Sequence, residues 1–301
     1  MKPGLHTMDS EEYHADPCPA PSLSASILHL LCARSPRHAW TAHPRLNPDY
    51  QREEENKFDL GTAAHAFILE RHGSGRFAIV DAPDWRTKDA QTLRVAARMA
   101  GKTPLLRAQW EQVKALASAL GLSLSRLEPP RPFTQPGGQP EQTLIWKEDG
   151  IWCRARLDWL HDDHRMIDDL KTTAASANPS AFSRMLFSMG YDIQARWYQR
   201  GVQAVLGKAA RFRFIPVEID PPYACSAVSL GPEAEALADQ KIAYGLKVWR
   251  ECLATDTWPG YPTATAYADP PAWEVMAWSE RQYRDEGGVV DDGRPLGELL
   301  S

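Results

Sequence analysis

Three short runs of strand-forming residues follow one another between residues 142 and 171. The runs are Gln142–Lys147, Ile151–Leu160 and Arg165–Lys171, and turn-forming tripeptides at 148–150 and 161–163 separate them. Connections this short join neighbouring strands that run in opposite directions, whereas parallel strands need a longer crossover. We therefore predict an antiparallel meander at the centre of the fold.

The sequence on either side of the meander is patterned mainly for helices. We predict helices over residues 22–33, 60–71, about 87–120, 179–206 and 232–254, and further strands over 211–219 and 224–230. We expect Ser22 or Ser24 to cap the first helix and Pro36 to end it, Thr62 to cap the second, and Gly101–Pro104 to interrupt the third. This order of elements predicts an α/β fold with a mixed central sheet flanked by helices.

The Pro- and Gly-rich segment 128–140 is the clearest internal boundary. A chain of 301 residues fits one domain with an elaborated N-terminal part. We predict a helical part over 1–127, with 1–22 and 41–57 irregular. A loop then covers 128–140, a catalytic core 141–255, and a partly ordered tail 256–301.

Charge and cysteine content exclude several classes of function. A net charge of −5 argues against a protein that coats DNA by electrostatics alone, although cations cluster within 71–114 and 184–213. The five cysteines form no Cys-x-x-Cys pair, which argues against zinc or iron–sulfur sites. Neither a signal peptide nor an apolar run of membrane-spanning length is visible. We expect a cytoplasmic protein without a membrane partner.

Strand alternation distinguishes two adjacent aspartates. Alternate residues of a strand share a face, so Asp169 and Lys171 point the same way and Asp168 points the other way. In the preceding strand, Asp158 shares a face with Arg154 and Arg156. Since a short turn joins the two strands, we expect Asp158 and Asp169 to lie close together.

Two neighbouring carboxylates repel each other unless a cation lies between them. A hard divalent cation such as Mg²⁺, with Mn²⁺ as a substitute, suits oxygen ligands. Lys171 beside such an ion would stabilise charge on a phosphate or orient a water. An acid-x-lysine pattern alone is common on solvated strands, but Asp158 on the neighbouring strand and the apolar surroundings favour a hydrolytic centre.

Four sequence blocks, in matching order, resemble the RecE-type (exonuclease VIII) branch of the PD-(D/E)XK nucleases, relatives of the RecB nuclease domain. They are GTAAHAFILE at 61–70, RARLDWL at 154–160, IDDLKTT at 167–173 and YDIQARWYQ at 191–199. The segment 22–40 is also similar to the family. Leu157 stands where the motif's name has proline, which is a common variation. The resemblance implies a restriction-endonuclease-like core with a helical N-terminal part.

The resemblance also implies roles for individual residues. Asp158 and Asp169 would bind the metal, with the Leu170 backbone carbonyl as a third ligand and His65 close by. Lys171 would contact the scissile phosphate or the attacking water. Glu141, at the start of the strand before Asp158, is an open candidate for another carboxylate. Further residues would support the site or touch DNA: Gln194 and Tyr198 on one helix face, and Arg34 and Arg37, which could hold a 5′-phosphate.

The activity implied by the resemblance is Mg²⁺-dependent 5′ to 3′ digestion of linear duplex DNA from its ends. The 3′ single strands produced would feed a single-strand annealing recombinase, commonly a phage partner. A ring-like homo-oligomer, often of four subunits, is implied as well. Two alternatives stay open: a DNA-end-binding module without catalysis, and a metal-dependent phosphoesterase or endonuclease acting on another substrate.

Overall fold

The computed structural model describes residues 1–51, 60–70, 76–128, 130–134 and 136–287. The chain divides into two units at Gly260, and the described residues of the second unit are 261–287. In the described part of the chain, no helix has the length and apolar character needed to cross a membrane. The five cysteines are free thiols.

The described residues form both strands and helices, numbered in chain order. The strands are β1 (Gly4–Thr7), β2 (Phe77–Val80), β3 (Thr103–Leu106), β4 (Gly138–Glu148), β5 (Ile151–His161), β6 (Met166–Thr173) and β7 (Arg211–Glu218). The helices are α1 (Ser10–His14), α2 (Ala25–Ala33), α3 (Pro36–Thr41), α4 (Leu60–Glu70), α5 (Lys88–Met99), α6 (Arg107–Leu124), α7 (Pro179–Ser188), α8 (Tyr191–Leu206), α9 (Pro232–Thr255) and α10 (Ala272–Gly287).

The central sheet has five strands in the order β1-β4-β5-β6-β7. Strands β4, β5 and β6 form the expected antiparallel meander, and β7 joins β6 in parallel. The prediction of an α/β fold with a mixed central sheet is thereby confirmed. A separate parallel pair, β2 and β3, is connected through α5.

The N-terminal region differs from the prediction in several places. Residues 1–22 are not irregular, because β1 adds an edge strand to β4 and α1 follows it. Helix α2 ends at Ala33, ahead of Pro36 as expected, but Pro36 also occupies the first turn of α3, where its missing N–H leaves no hydrogen bond broken. Helix α4 begins at Leu60, so Thr62 lies inside the helix rather than at its cap. Residues 52–57 of the predicted loop 41–57 lie outside the described residues.

Three further element predictions were wrong in detail. The helical region expected over 87–120 is interrupted near Gly101–Pro104 as predicted, but the interruption contains an unpredicted strand, β3, which lies between α5 and α6 and is stabilised by its distant partner β2. The helix expected over 179–206 is split at Gly190, whose left-handed φ of 69° starts α8. Residues 224–230 form isolated bridges to β7 rather than a strand. The tail 256–301, expected to be partly ordered, contains α10.

Helices cover both faces of the central sheet. A large apolar cluster joins α2, α8 and α9 to one face, with Trp197 and Trp249 at its centre. A second cluster joins α4 and α6 to the other face through Trp159 and Leu170. Helix α4, which carries His65, therefore lies on the opposite side of the sheet from α8.

A buried charged group ties the N-terminal segment to β5. The carboxylate of Asp16 accepts hydrogen bonds from the Ser22 hydroxyl at 2.6 Å and the Ser22 N–H at 2.9 Å. Arg154 Nη1 lies 3.2 Å and His43 Nε2 3.4 Å from the same carboxylate. Burial alone would raise the pKa of Asp16, but the His43 hydrogen bond, the Arg154 charge and the Ser22 bonds outweigh it and hold the pKa at about 2.

We expect Asp16→Asn to lower the free energy of unfolding by about 3–5 kcal/mol at pH 7, because Arg154 would keep its buried charge without a carboxylate partner. Urea denaturation measures the loss, and exposed Glu11→Gln serves as a control. A folded-state pKa below the unfolded value stabilises the fold above that value. The difference from wild type should therefore shrink as the pH falls from 3.8 towards 2. A constant difference over that range would contradict the assignment.

Candidate functional site

Two carboxylates face each other across the β4–β5 pair. Pro140 pairs with Trp159 and Gln142 with Leu157, which places Glu141 opposite Asp158. Like charges in directly opposed positions destabilise a sheet. Glu141 also has a φ of 54°, in the left-handed region that non-glycine residues rarely adopt. It is the fourth residue of β4 rather than its first, so the prediction that Glu141 opens the strand was wrong.

Strands β5 and β6 separate at the site. They pair only at Trp159–Asp168 and Leu160–Ile167. Beyond those pairs, Asp158 Oδ2 accepts a 2.8 Å hydrogen bond from the Leu170 N–H and so fills the gap between the strands. Leu157 and Leu160 pack in one apolar cluster and Trp159 in the other, which shows that regular alternation breaks here. The gap is accessible to helices from both faces of the sheet.

Helix α4 brings His65 to this gap. His65 Nε2 lies 3.0 Å from Asp158 Oδ2, and Nδ1 lies 3.9 Å from Glu141 Oε1. One ligand atom from each of His65, Glu141 and Asp158 lies within 4.8 Å of the others. Arg156 Nε contacts Glu141 Oε2 at 2.5 Å, and its Nη1 donates to the Met8 carbonyl at 3.1 Å. The second oxygen of Glu141 is thereby fixed.

Strand β6 supplies a second charged group, the Asp169–Lys171 ion pair, and helix α8 contacts it. Asp169 is fully buried and accepts a 2.7 Å hydrogen bond at Oδ1 from Gln194 Nε2. Lys171 Nζ lies 2.5 Å from Asp169 Oδ2, a contact with ion-pair rather than directed hydrogen-bond geometry. Tyr198 is buried one turn after Gln194 and packs against Phe212. Gln194 thus contacts Asp169 directly, and the buried Tyr198 side chain is hydrogen-bonded to Gln194.

Asp168 lies on the opposite side of β6 from Asp169. It is fully buried and contacts His161 Nε2 at 2.6 Å and Arg213 Nε at 2.6 Å. Arg213 also donates to the carbonyls of Glu128 and Pro130. Asp168 therefore anchors β6 on the face of the strand away from Lys171. Asp169 is the aspartate of this pair that contacts Lys171.

Electrostatics in the site reflect an excess of carboxylates. Burial raises the pKa of Asp169 to about 7, with the Asp158 charge acting in the same direction and Lys171 opposing it. Burial alone would raise the pKa of Asp158, but the charge and hydrogen bond of His65 lower it below its ordinary value. For His65 and Lys171, burial acts against the cation, yet the neighbouring carboxylates raise both pKa values. Additional positive charge would relieve the repulsion.

The donor set fits a divalent cation. His65, Glu141 and Asp158 offer one imidazole nitrogen and two carboxylate oxygens on converging side chains. Carboxylates suit Mg²⁺ and Mn²⁺, and the imidazole favours Mn²⁺ over Mg²⁺. Asp169 lies outside this convergent set, with both oxygens directed at Gln194 and Lys171.

Sequence reasoning missed Arg156 and Tyr191. Arg156 lies two positions before Asp158, so strand alternation placed it on the correct face, but no motif gave it a role. Tyr191 precedes Gln194 by three residues and therefore shares its helix face. The Lys171 ammonium lies 4.7 Å from the Tyr191 ring centroid.

The two arginines predicted to hold a 5′-phosphate are both exposed. Arg34 follows α2 and acts electrostatically on His29, which packs against Gly190 at the start of α8. Arg37 lies in α3 with its guanidinium 4.6 Å from the Trp40 ring centroid. Arg34 therefore lies on the α8 side of the sheet.

Comparisons with known proteins identify a family and a similar fold. A family model described as "PDDEXK-like domain of unknown function (DUF3799)" matches residues 25–270. No curated protein matches the sequence. A candidate exonuclease from Eubacterium rectale has a crystal structure similar to this chain, with a TM-score of 0.57, 12% identity, and coverage of 90% of this chain and 98% of that one. A phage-related exonuclease from Haemophilus somnus 129PT gives a TM-score of 0.31 at 12% identity, covering 65% of this chain and 95% of that one.

Proposed function

Since the chain belongs to the PDDEXK-like family DUF3799, we propose that it is a nuclease that hydrolyses DNA phosphodiester bonds with a bound divalent cation. The observation that carries this is the convergence of His65, Glu141 and Asp158 beside the buried Asp169–Lys171 pair. A cation site next to a lysine is the equipment that phosphodiester hydrolysis requires. A core made only for stability would not bring the carboxylates of Glu141, Asp158 and Asp169 together, with Glu141 in a left-handed backbone conformation.

The residues of this site divide the work among them. His65, Glu141 and Asp158 would hold the ion, and Asp169 and the Leu170 carbonyl are further ligands in this proposal. When bound, the ion supplies a Lewis acid that polarises the phosphate and acidifies a neighbouring water.

Lys171 stabilises the negative charge that grows on the phosphate during attack. Gln194 orients Asp169, and Arg156 holds the second oxygen of Glu141. Mg²⁺ is the ion we propose, with Mn²⁺ as an active substitute because of the imidazole ligand.

We further propose that hydrolysis proceeds from duplex ends in the 5′ to 3′ direction and leaves 3′ single strands. The support is the resemblance of four blocks to RecE-type exonucleases. A single-strand annealing recombinase would take up the product, and a ring of subunits would hold the duplex. Arg34 and Arg37 would contact the DNA strand. The proposed location is the bacterial cytoplasm, where a phage-encoded enzyme would act.

Digestion of end-labelled linear duplex beside a covalently closed circle tests this function. With Mg²⁺ we expect the 5′ label to be released early, the 3′ label late, and the circle to stay intact, while a chelator stops the reaction. Cutting of the circle would contradict the exonuclease but not the nuclease. End binding without cleavage in either Mg²⁺ or Mn²⁺ would indicate a binding module. Hydrolysis of p-nitrophenyl phosphodiesters without DNA cleavage would indicate a phosphoesterase.

A further inference from the structure

Three aromatic rings form a stack beside the site. Tyr191 at the start of α8 stacks against Phe182 of α7, with centroids 6.2 Å apart and an interplanar angle of 27°. It also packs on Phe214 of β7 at 5.8 Å and 31°. Phe182 and Phe214 are fully buried, whereas Tyr191 is partly exposed. The Tyr191 ring is therefore held from behind and presents a face towards the charged group.

That ring contacts Lys171. The Lys171 ammonium lies 4.7 Å from the Tyr191 ring centroid and 2.5 Å from Asp169 Oδ2. A lysine side chain is long and flexible, and one carboxylate fixes its end at a single contact. An aromatic face attracts an ammonium through the ring quadrupole, more strongly when water is excluded. The side chain of Lys171 is 17% exposed, so the attraction acts in a largely dry environment.

The start of α8 is fixed in turn. Gly190 adopts a left-handed φ of 69°, and a Cβ there would lie 2.1 Å from His29 Nδ1. Only glycine allows both the backbone turn and the approach of His29. Asp192, the residue after Tyr191, is fully buried and bonded to Lys241 Nζ at 2.6 Å. These contacts on either side of Tyr191 define where its ring can lie.

We propose that Tyr191 is the positioning residue for Lys171: its ring face, backed by Phe182 and Phe214, holds the ammonium at the phosphate of the bound DNA. This inference rests on the proposed nuclease function. The ring rather than the hydroxyl does the positioning, because the contact is to the ring centroid. Tyr191 acts through Lys171, so its loss slows turnover without weakening DNA binding.

Steady-state kinetics of the full-length protein on linear duplex with Mg²⁺ test the role of the ring. We expect Tyr191→Leu to lower kcat about tenfold with KM little changed, and Tyr191→Phe to recover most of the loss. Exposed Tyr244→Leu is the matched control for removal of a tyrosine. Equal losses in the Phe and Leu variants would assign the role to the hydroxyl and overturn the proposal. A rise in KM at constant kcat would overturn it too, by making Tyr191 a DNA contact.

A fluorinated series keeps the test decisive if Tyr191→Leu does not fold. Phenylalanine with none, one, two or three ring fluorines at position 191 preserves the shape while weakening the ring quadrupole. We expect kcat to fall stepwise along the series at constant melting temperature. A flat series in an active enzyme would overturn the positioning role alone. An inactive wild type, by contrast, would overturn the proposed function itself.

Discussion

Asp158→Asn is expected to lower the rate of DNA hydrolysis by at least about 1,000-fold, the largest effect of any single substitution in the chain. The Asp158 carboxylate contacts His65 Nε2 and accepts a hydrogen bond from the Leu170 N–H, and one of its oxygens lies within 4.8 Å of a Glu141 carboxylate oxygen. An amide keeps its size but removes the negative charge that a divalent cation needs. Release of acid-soluble nucleotides from linear duplex in Mg²⁺ measures the rate.

Asp162→Asn is the matched control for this substitution. Asp162 is exposed in the turn between β5 and β6, four residues from Asp158. It should keep wild-type activity, and both variants should melt cooperatively. Activity in Asp158→Asn within tenfold of wild type would exclude this carboxylate as an essential ligand.

Lys171→Met is expected to lower kcat by about 100-fold or more while leaving cation binding intact. The substitution removes the ammonium that lies 2.5 Å from Asp169 but keeps a long side chain to cover the Tyr191 ring. Removing a positive charge beside a cation site should preserve or strengthen binding of Mn²⁺, because like charges repel. Steady-state hydrolysis of linear duplex gives kcat, and calorimetric titration with Mn²⁺ gives the cation affinity.

This combination separates a catalytic lysine from a structural one. Exposed Lys208→Met is the control and should change neither quantity. If Lys171→Met lost Mn²⁺ binding together with activity, Lys171 would be holding the site together rather than acting on the phosphate. Full activity in Lys171→Met would remove it from the mechanism altogether.

Strand alternation predicted the half of the site that lies on β6. It separated Asp169 from Asp168 correctly, because β6 is a regular strand held by β7 along its whole length. It did not predict the separation of β5 from β6 or the left-handed Glu141. Both departures are irregularities of the strand backbone, and residue-type periodicity in the sequence does not encode them.

Non-local pairing also explains why β1, β2 and β3 were not predicted from the sequence. Strands β2 and β3 have four residues each and pair across α5, and β1 pairs with β4 far along the chain. Short strands of this kind carry little periodicity of their own. Their stability comes from the partner, so a local reading leaves them as loop or helix.

The number of cations in a stretch of the sequence says little about where DNA binds. In the second basic stretch, Arg196 and Arg200 pair with Asp239, and Arg213 is buried against Asp168. In the first stretch, Arg107 pairs with Asp81 and Lys114 with Glu111. These cations are already paired with carboxylates of the chain, so a basic stretch in the sequence does not by itself locate the DNA.

The cation site itself can be observed by anomalous X-ray diffraction from crystals of the protein soaked in Mn²⁺. We expect one strong anomalous peak within coordination distance of His65 Nε2 or Nδ1 and of the carboxylates of Glu141 and Asp158, and its loss in crystals of Asp158→Asn. A peak elsewhere, or one that survives in Asp158→Asn, would contradict the assignment of these residues as the centre of the proposed nuclease.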